Sequence, residues 1–398
     1  MIGYTFYDSD NRVRRYAETL VKRGDQVDVI ALKRKNQVSF DMVQGVKVFR
    51  VQEREKNEKK KITYLFRLLM FLLKSFVFLS YKHWKKPYDL IHVHSVPDFE
   101  VLAALIPKIF GAKIILDIHD IVPEFYESKF DTSNKSFMFK LLVFIEKISI
   151  LFSDHVIISN HIWYKTLISR SVNENKCTTI MNYPDNSIFF KRDLIRNKKK
   201  FIVLYPGTLN WHQGLDIAVK AFGLLKDRVP KAEFHIYGGG PAQKKLTFLI
   251  KKLGLENRVF LKDSVSVNEI AGIMANSDLG VIPKRNDCFG GEAFSTKTLE
   301  FMSLGVPIVV SKTKIDQYYF DESIVKFFEP ENEKDLAEAM LELINNKEMR
   351  DKLSQNALNF VGKNNWEVKK HIYLDLVDFL VNPKSPRQHT TKLADKRK

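Results

Sequence analysis

Phe289-Gly290-Gly291-Glu292-Ala293-Phe294-Ser295-Thr296-Lys297-Thr298-Leu299-Glu300 follows the apolar run Leu279–Ile282 and leads to a second run, Pro307–Val310. The runs read as strands, and Thr296 to Leu304 as the helix between them. The same alternation extends backward. Phe201–Tyr205, Ala232–Tyr237 and Val259–Leu261 read as strands, and the second ends in Gly238-Gly239-Gly240. Leu215–Leu225, Lys244–Leu253 and Val267–Ala275 read as helices. Strands alternating with helices predict a parallel sheet covered on both faces.

The first half repeats the pattern. Strands are expected at Ile2–Phe6, Gln26–Leu32, Val46–Val51, Leu90–His94, Lys113–Ile118 and His155–Ser159. Helices are expected at Arg12–Arg23, closed by Gly24, and at Phe99–Phe110 and Phe137–Phe152. The pattern breaks at Asn182-Tyr183-Pro184-Asp185, and a basic linker runs from Lys191 to Lys200. At 398 residues the chain suits two domains of similar size. The α/β reading is therefore two doubly wound, Rossmann-like domains facing a central cleft. Ligands of such units bind at the carboxyl ends of strands. The boundaries fall at residues 1–190 and 200–365. A last helix, about 366–381, packs back on the first domain, and 382–398 form a basic, disordered tail.

Apolar residues make up 45% and charged residues 28%, a globular mix. Two distant cysteines, Cys177 and Cys288, argue against a disulfide framework and for a reducing, cytoplasmic compartment. Met1-Ile2-Gly3-Tyr4 does not open a secretory signal. The formal charge of +17 calls for an anionic partner. Zinc-finger, basic-zipper and RNA-recognition signatures are absent, so no nucleic acid is expected. An anionic membrane surface is preferred, because Lys59-Lys60-Lys61 introduces the aromatic, apolar segment Ile62–Leu79, and Lys82-His83-Trp84-Lys85-Lys86 follows it. Arg67 and Lys74 interrupt a span that needs about 20 apolar residues. The segment suits a helix in the headgroup plane, at the inner face of the membrane, or else a core helix with snorkelling lysines.

The quoted stretch also carries the candidate chemistry. Ser295 is expected to cap the helix with its hydroxyl. Free first-turn amides and the positive end of the helix dipole then form an anion site, and Lys297 adds a full charge. Glu292 and Glu300 flank it; Ser295 to Glu300 spans roughly 7 Å of helix. Two carboxylates placed so accept hydroxyl hydrogen bonds on either side of a diphosphate.

Glu292, seven residues, Glu300 and then Gly305-Val306-Pro307-Ile308-Val309-Val310 resemble the retaining family-four glycosyltransferases of the GT-B fold. Pro206-Gly207-Thr208-Leu209, Gly214-Leu215-Asp216 and Ile236-Tyr237-Gly238-Gly239-Gly240-Pro241 resemble that family's other donor loops. Arg12–Glu18 and Gly24-Asp25-Gln26-Val27 resemble its opening helix and second strand. Asp117-Ile118-His119-Asp120 and Asn182–Asp185 match its bacterial cell-surface polysaccharide branch. The resemblance covers roughly residues 1 to 380.

It implies transfer of a sugar from a nucleotide-diphosphate donor to an acceptor, with retention and without metal or other cofactor; the basic aromatic segment alone favours a lipid-linked acceptor. Glu292 would hold the donor sugar and Glu300 the ribose. Amides of Gly291, Ala293, Phe294, Ser295 and Thr296, with Lys297 and the loop residues Gly207, Thr208 and Gly239, would hold the rest of the donor. His119, at the end of an apolar strand, would stand near the reacting carbon. The chain departs from the family in two places. Thr208 and Gln213 replace an arginine and a lysine, which shifts charge neutralisation to Lys297, with Lys284 or Arg285 as further candidates. Asp8-Ser9-Asp10-Asn11-Arg12 replaces a glycine pair. Asp8-Ser9-Asp10 is read as a turn rather than a metal motif, and His92 and His94 as a polar strand end rather than zinc ligands. The remaining readings are a sugar-nucleotide epimerase, a non-catalytic scaffold, or an NAD-dependent oxidoreductase. The last lacks the glycine fingerprint, since Tyr7 to Arg12 contains no glycine.

Overall fold

The computed structural model of the protein describes residues 1–54, 61–130, 136–192 and 200–382. Lys59, Lys60, most of the basic linker and the tail beyond Asn382 lie outside the described residues. The chain divides into two compact units: Met1–Asn182 with the C-terminal segment from Lys369, and Tyr183–Val368.

The first unit holds β1 (Ile2–Gly3), β2 (Asp28–Lys33), β3 (Phe40–Val43), β4 (Val46–Glu53), β5 (Leu90–His94), β6 (Lys113–Ile118), β7 (His155–Ile158) and β8 (Cys177–Thr179). Their order is β3-β4-β2-β1-β5-β6-β7-β8, parallel except for the β3–β4 pair. The second unit holds β9 (Phe201–Pro206), β10 (Ala232–Tyr237), β11 (Val259–Lys262), β12 (Leu279–Ile282), β13 (Ile308–Ser311) and β14 (Lys326–Phe328). Its order is β11-β10-β9-β12-β13-β14, parallel throughout. Every residue of β7, β12 and β13 is buried, which is why these runs are apolar without alternation. Each sheet is therefore doubly wound and Rossmann-like. The winding reverses between β1 and β5 in one unit and between β9 and β12 in the other. In such sheets the ligand crevice opens at that reversal, beyond the carboxyl ends.

Several elements differ from the sequence reading for local reasons. Phe99–Phe110 is not one helix: a 3-10 turn, Asp98–Ala104, gives way to a short helix, Leu105–Ile109. Pro107 sits in the first turn of that helix, where its missing N–H is tolerated, but an uninterrupted helix through it is not. β3 was not expected; it turns into β4 through Gln44 (φ 50) and Gly45 (φ 80), and Gln44 lacks the usual Asn or Asp signal for that conformation. The helix His161–Arg170 starts on buried Asn160, whose Oδ1 accepts from the Trp163 amide at 2.9 Å.

The opening loop has plain structural work. Asp10 caps the helix Asn11–Arg23, its Oδ1 accepting from the Arg12 and Val13 amides at 3.1 Å. Asp8 pairs with Arg50 at 3.3 Å and accepts from Gln37 at 2.6 Å. The helix ends on Gly24 at φ 106. At the far end of the chain, the helix Trp366–Val381 sets Tyr373 against Tyr16 (ring centroids 4.3 Å) and Asp378 against Arg23 at 2.8 Å.

Candidate functional site

In the second unit, the loops leaving β9, β10 and β12 meet at the sheet reversal through glycines. Gly207 has φ 135 and Gly238 φ 145. A Cβ on Gly238 would stand 1.9 Å from the Gly207 carbonyl oxygen, and one on Gly240 would stand 2.5 Å from the Leu209 carbonyl oxygen. Between them the Leu209 amide donates to the Gly239 carbonyl at 3.1 Å. Only glycine lets two backbones approach so closely. Gly214, at φ 62, fixes the same loop to the end of β12: a Cβ there would lie 1.9 Å from the Pro283 carbonyl oxygen. Gly214→Ala combines a left-handed backbone with a backbone collision, so we expect a loss of about 2–4 kcal/mol, measurable by urea denaturation.

Lys297 fills the space these glycines leave. A Cβ on Gly207 would be 2.2 Å from its Cε, so the lysine stem lies directly over that residue. Its Nζ stands 3.4 Å from Gln213 Oε1 and 5.5 Å from the Tyr205 ring centroid. The Tyr205 hydroxyl lies 2.9 Å from the same Gln213 oxygen and 3.1 Å from the Thr208 carbonyl oxygen. Gln213 thus steadies the ammonium of Lys297, and the Thr208 side chain is exposed. Burial brings the Lys297 ammonium down to about 8, against the opposing pull of Glu300. This Tyr205–Gln213–Lys297 arrangement has no signature in the sequence, because its members come from a strand, a turn and a helix.

The helix itself is Thr296–Ser303. Ser295 occupies the N-cap position, but its hydroxyl makes no capping bond, contrary to the sequence reading. Its carbonyl instead accepts from the Thr298 amide at 3.1 Å. The hydroxyls of Ser295 and Thr298 are buried without a partner. The Thr296 and Lys297 amides, at the first two helical positions, keep their capacity for an anion.

The loop before the helix is tied down from several sides. Asp287 Oδ1 accepts from the Phe289 and Gly290 amides at 2.9 and 2.8 Å, and its Oδ2 lies 3.0 Å from His212 Nδ1. Buried Lys284 pairs with buried Asp316 at 2.9 Å and donates to the Ala293 carbonyl at 2.8 Å. Arg285 binds Asp216 at 2.7 Å and lies 4.6 Å above the Trp211 ring. Lys284 and Arg285 therefore hold the loop. Two further assignments change. The Ala293 amide is spent on the Phe289 carbonyl at 2.8 Å, and the Gly291 amide on the Asp287 carbonyl at 2.8 Å. Gly291 is needed for space, since a Cβ would stand 2.9 Å from the Asp287 carbonyl oxygen. Phe294 sets its ring edge-on to Tyr319, centroids 5.1 Å apart.

Glu292 and Glu300 are each half-buried. Glu292 bonds Lys314 at 2.6 Å, a partner the sequence reading missed. Glu300 acts electrostatically on Lys297.

In the first unit, the reversal between β1 and β5 gathers a buried polar cluster around Asp117, at the end of β6. Arg12 grips its carboxylate twice, Nη2 to Oδ1 at 2.7 Å and Nε to Oδ2 at 2.8 Å. His94 Nδ1 and His119 Nε2 each lie 3.2 Å from Asp117 Oδ2. Burial alone would raise this carboxyl, but Arg12 and then His119 hold it well below the usual carboxylate range. Burial, reinforced in His92 by neighbouring His94, keeps His92 and His94 below the ordinary histidine value. A bare ring nitrogen facing an anion at 3.2 Å would be repelled, so His119 Nε2 carries a proton toward Asp117. The His119 ring is partly exposed. His92, His94 and Asp117 bring ligand-type atoms within 4.8 Å of one another. With Arg12 on both carboxylate oxygens, however, the local charge already suits the anion and a dication would meet a guanidinium.

Residues 9–182 match the Glycosyl transferase 4-like domain, and residues 186–360 match Glycosyl transferases group 1. Sucrose-phosphate synthase from Thermosynechococcus elongatus shares the fold with a TM-score of 0.76 at 18% identity, covering 94% of this chain and 98% of that one. Anabaena HepE, crystallised with UDP and glucose, shares it with a TM-score of 0.70 at 16% identity, over 94% and 98%. Mannosylfructose-phosphate synthase of Agrobacterium fabrum is 30% identical over 203 residues, 47% of this chain. That match spans 44% of the relative's own length. Two Rossmann-like units with these domain matches define the GT-B class. The first half of the chain thus carries a glycosyl transferase 4-like domain and the second half a glycosyl transferases group 1 domain.

Proposed function

We propose that the protein transfers a sugar from a nucleoside-diphosphate sugar to an acceptor, with retention of anomeric configuration. The observation that carries this reading is Lys297, its stem over Gly207 and its ammonium at Gln213, in the first turn of a helix whose amides can still take an anion. Such a pocket suits a diphosphate. HepE, with UDP and glucose bound, supports a nucleotide-sugar donor for a chain of the same fold. Amides of Ser295 and Thr296 and the Lys297 ammonium would hold the diphosphate, Glu300 the ribose and Glu292 the sugar.

As the bond from the anomeric carbon to the phosphate oxygen breaks, charge builds on the leaving diphosphate, and Lys297 with the helix amides stabilises it. The acceptor oxygen bonds to the same face of that carbon, and its proton passes to the departing phosphate oxygen. No protein nucleophile takes part. His119 hydrogen-bonds a substrate hydroxyl through Nδ1, with the ring oriented by Asp117. NMR of the product should show the donor's anomeric configuration; an inverted product overturns the mechanism. His119→Ala should lower turnover with the fold intact by circular dichroism, and an unaltered kcat would remove His119 from the site.

The acceptor is proposed to be lipid-linked, met by a protein lying at the cytoplasmic face of a membrane. The basis is the helix Lys61–Lys85, apolar and aromatic on one side and ending in lysines. By length and composition it is able to cross a bilayer. Yet Leu68, Phe71, Ser75, Leu79 and His83 are buried, and the Arg67 carbonyl accepts from Gln52 of β4 at 2.9 Å. A helix fastened to the sheet along one stripe suits lying on a surface better than passing through it.

A further inference from the structure

We infer that the membrane-facing surface is a face of three elements, in which the helix Phe137–Phe152 and the turn around Phe110 dock on anionic lipid beside the helix Lys61–Lys85. This rests on the membrane reading above and extends it from one helix to a whole layer of the first unit.

The helix Phe137–Phe152 buries only one side. Phe137, Leu141, Phe144, Ile148 and Leu151 are exposed at steps of four, three, four and three residues, which places them on a single stripe. Phe137 is 79% exposed and Leu151 75%, values that an ordinary soluble surface does not gather along one helix. The helix Lys61–Lys85 does the same with Phe66, Leu69, Leu73, Val77 and Trp84. The segment Asp98–Ile109 packs against both helices, so the two stripes belong to neighbouring elements. Ring contacts join the ends. Trp84 meets Phe110 edge-on with centroids 6.3 Å apart, and Lys108 Nζ stands 5.2 Å from the Phe152 ring. Ile109 and Phe110 are exposed at this junction.

Charge decides the occupant. Residues 61–85 contain no Asp or Glu. In residues 137–152 the one acid, Glu146, is buried and bonded to Arg170 at 2.6 Å. The charges these helices expose are therefore lysines: Lys74, Lys85, Lys140 and Lys147. A protein–protein interface is depleted in lysine. Bulky apolar and aromatic groups interleaved with lysines, and free of exposed acids, fit acyl chains beneath anionic headgroups.

The test is flotation of the full chain with vesicles of phosphatidylcholine alone, or with about 30% phosphatidylglycerol added. Wild type should float with the anionic vesicles, and less so with the neutral ones. Two triple variants are compared, Phe137→Ser/Phe144→Ser/Leu151→Ser and Phe66→Ser/Leu73→Ser/Trp84→Ser. Each should cut the bound fraction at least tenfold with an unchanged melting temperature, because all six side chains lie outside the core. If wild type binds neither vesicle, both this proposal and the single-helix reading fall. If only the second triple loses binding, the single-helix reading stands and the three-element face is wrong. If wild type sediments as a dimer that the first triple dissociates, the stripe is an interface between copies, and the proposal is overturned.

Discussion

Lys297→Met should lower kcat/KM by about 10²–10³-fold, the loss typical of removing one preorganised charge-stabilising group. The unliganded fold should not suffer. Burial has already brought this ammonium to about 8, so its charge is a burden on the free protein. The sign follows from proton counts. Between pH 8 and the ordinary lysine value the unfolded chain binds more protons at this site than the fold, so stability rises with pH across that window. Below pH 8 the charged lysine costs stability; above the ordinary value that cost has gone. The methionine variant should lose this rise, and its melting temperature at pH 7 should equal or exceed the wild-type value. A variant with normal turnover would show that the diphosphate is neutralised elsewhere.

Asp117→Asn should destabilise the first unit by about 3–5 kcal/mol, since it leaves the buried guanidinium of Arg12 without its counter-charge. Arg12→Met should cost a similar amount from the other side. Arg12→Met with Asp117→Leu should recover much of it, because a buried ion pair replaced by apolar residues is often neutral. Urea denaturation of the three variants checks the pattern. Additive losses in the double variant would mean that the two residues act separately. The cluster also fixes an acid limit. Asp117 contributes stability above the ordinary carboxylate value and loses it as pH falls toward its own much lower one. His92 and His94 act sooner: the unfolded chain takes up protons below about 6.5 that the fold refuses, so stability drops there first.

The sequence displayed its fold where burial is one-sided or complete. Leu215–Leu225, Ala232–Tyr237, Val267–Ala275 and Phe137–Phe152 have the same limits in the structure as in the reading, because apolar period and flanking turns agree there. β3 and the helix His161–Arg170 were missed because a hairpin through Gln44 and a cap by Asn160 are weak local signals. The site was legible as a set of residue types, not as a bonding pattern. Glu292, Lys297 and Glu300 stand out by spacing. Nothing in that spacing says that Lys284 is spent on Asp316, that Arg285 is spent on Asp216, or that Ser295 leaves its hydroxyl unpaired. Those facts depend on side chains from the loop after β12, the helix Lys314–Tyr319 and the first turn of the helix Leu215–Leu225 meeting at one end of a sheet. Sequence distance hides such meetings. The same holds for Asp117, which gains Arg12 from the opening helix and His94 from the neighbouring strand.

Calorimetric titration of wild type and Lys297→Met with UDP and with GDP, from pH 7 to pH 9.5, tests the diphosphate pocket most directly. At least one nucleotide should bind wild type with an affinity that is flat below pH 8 and weakens above it, as the free ammonium loses its proton; the methionine variant should bind weakly at every pH. Binding that ignores pH and survives Lys297→Met would contradict the account.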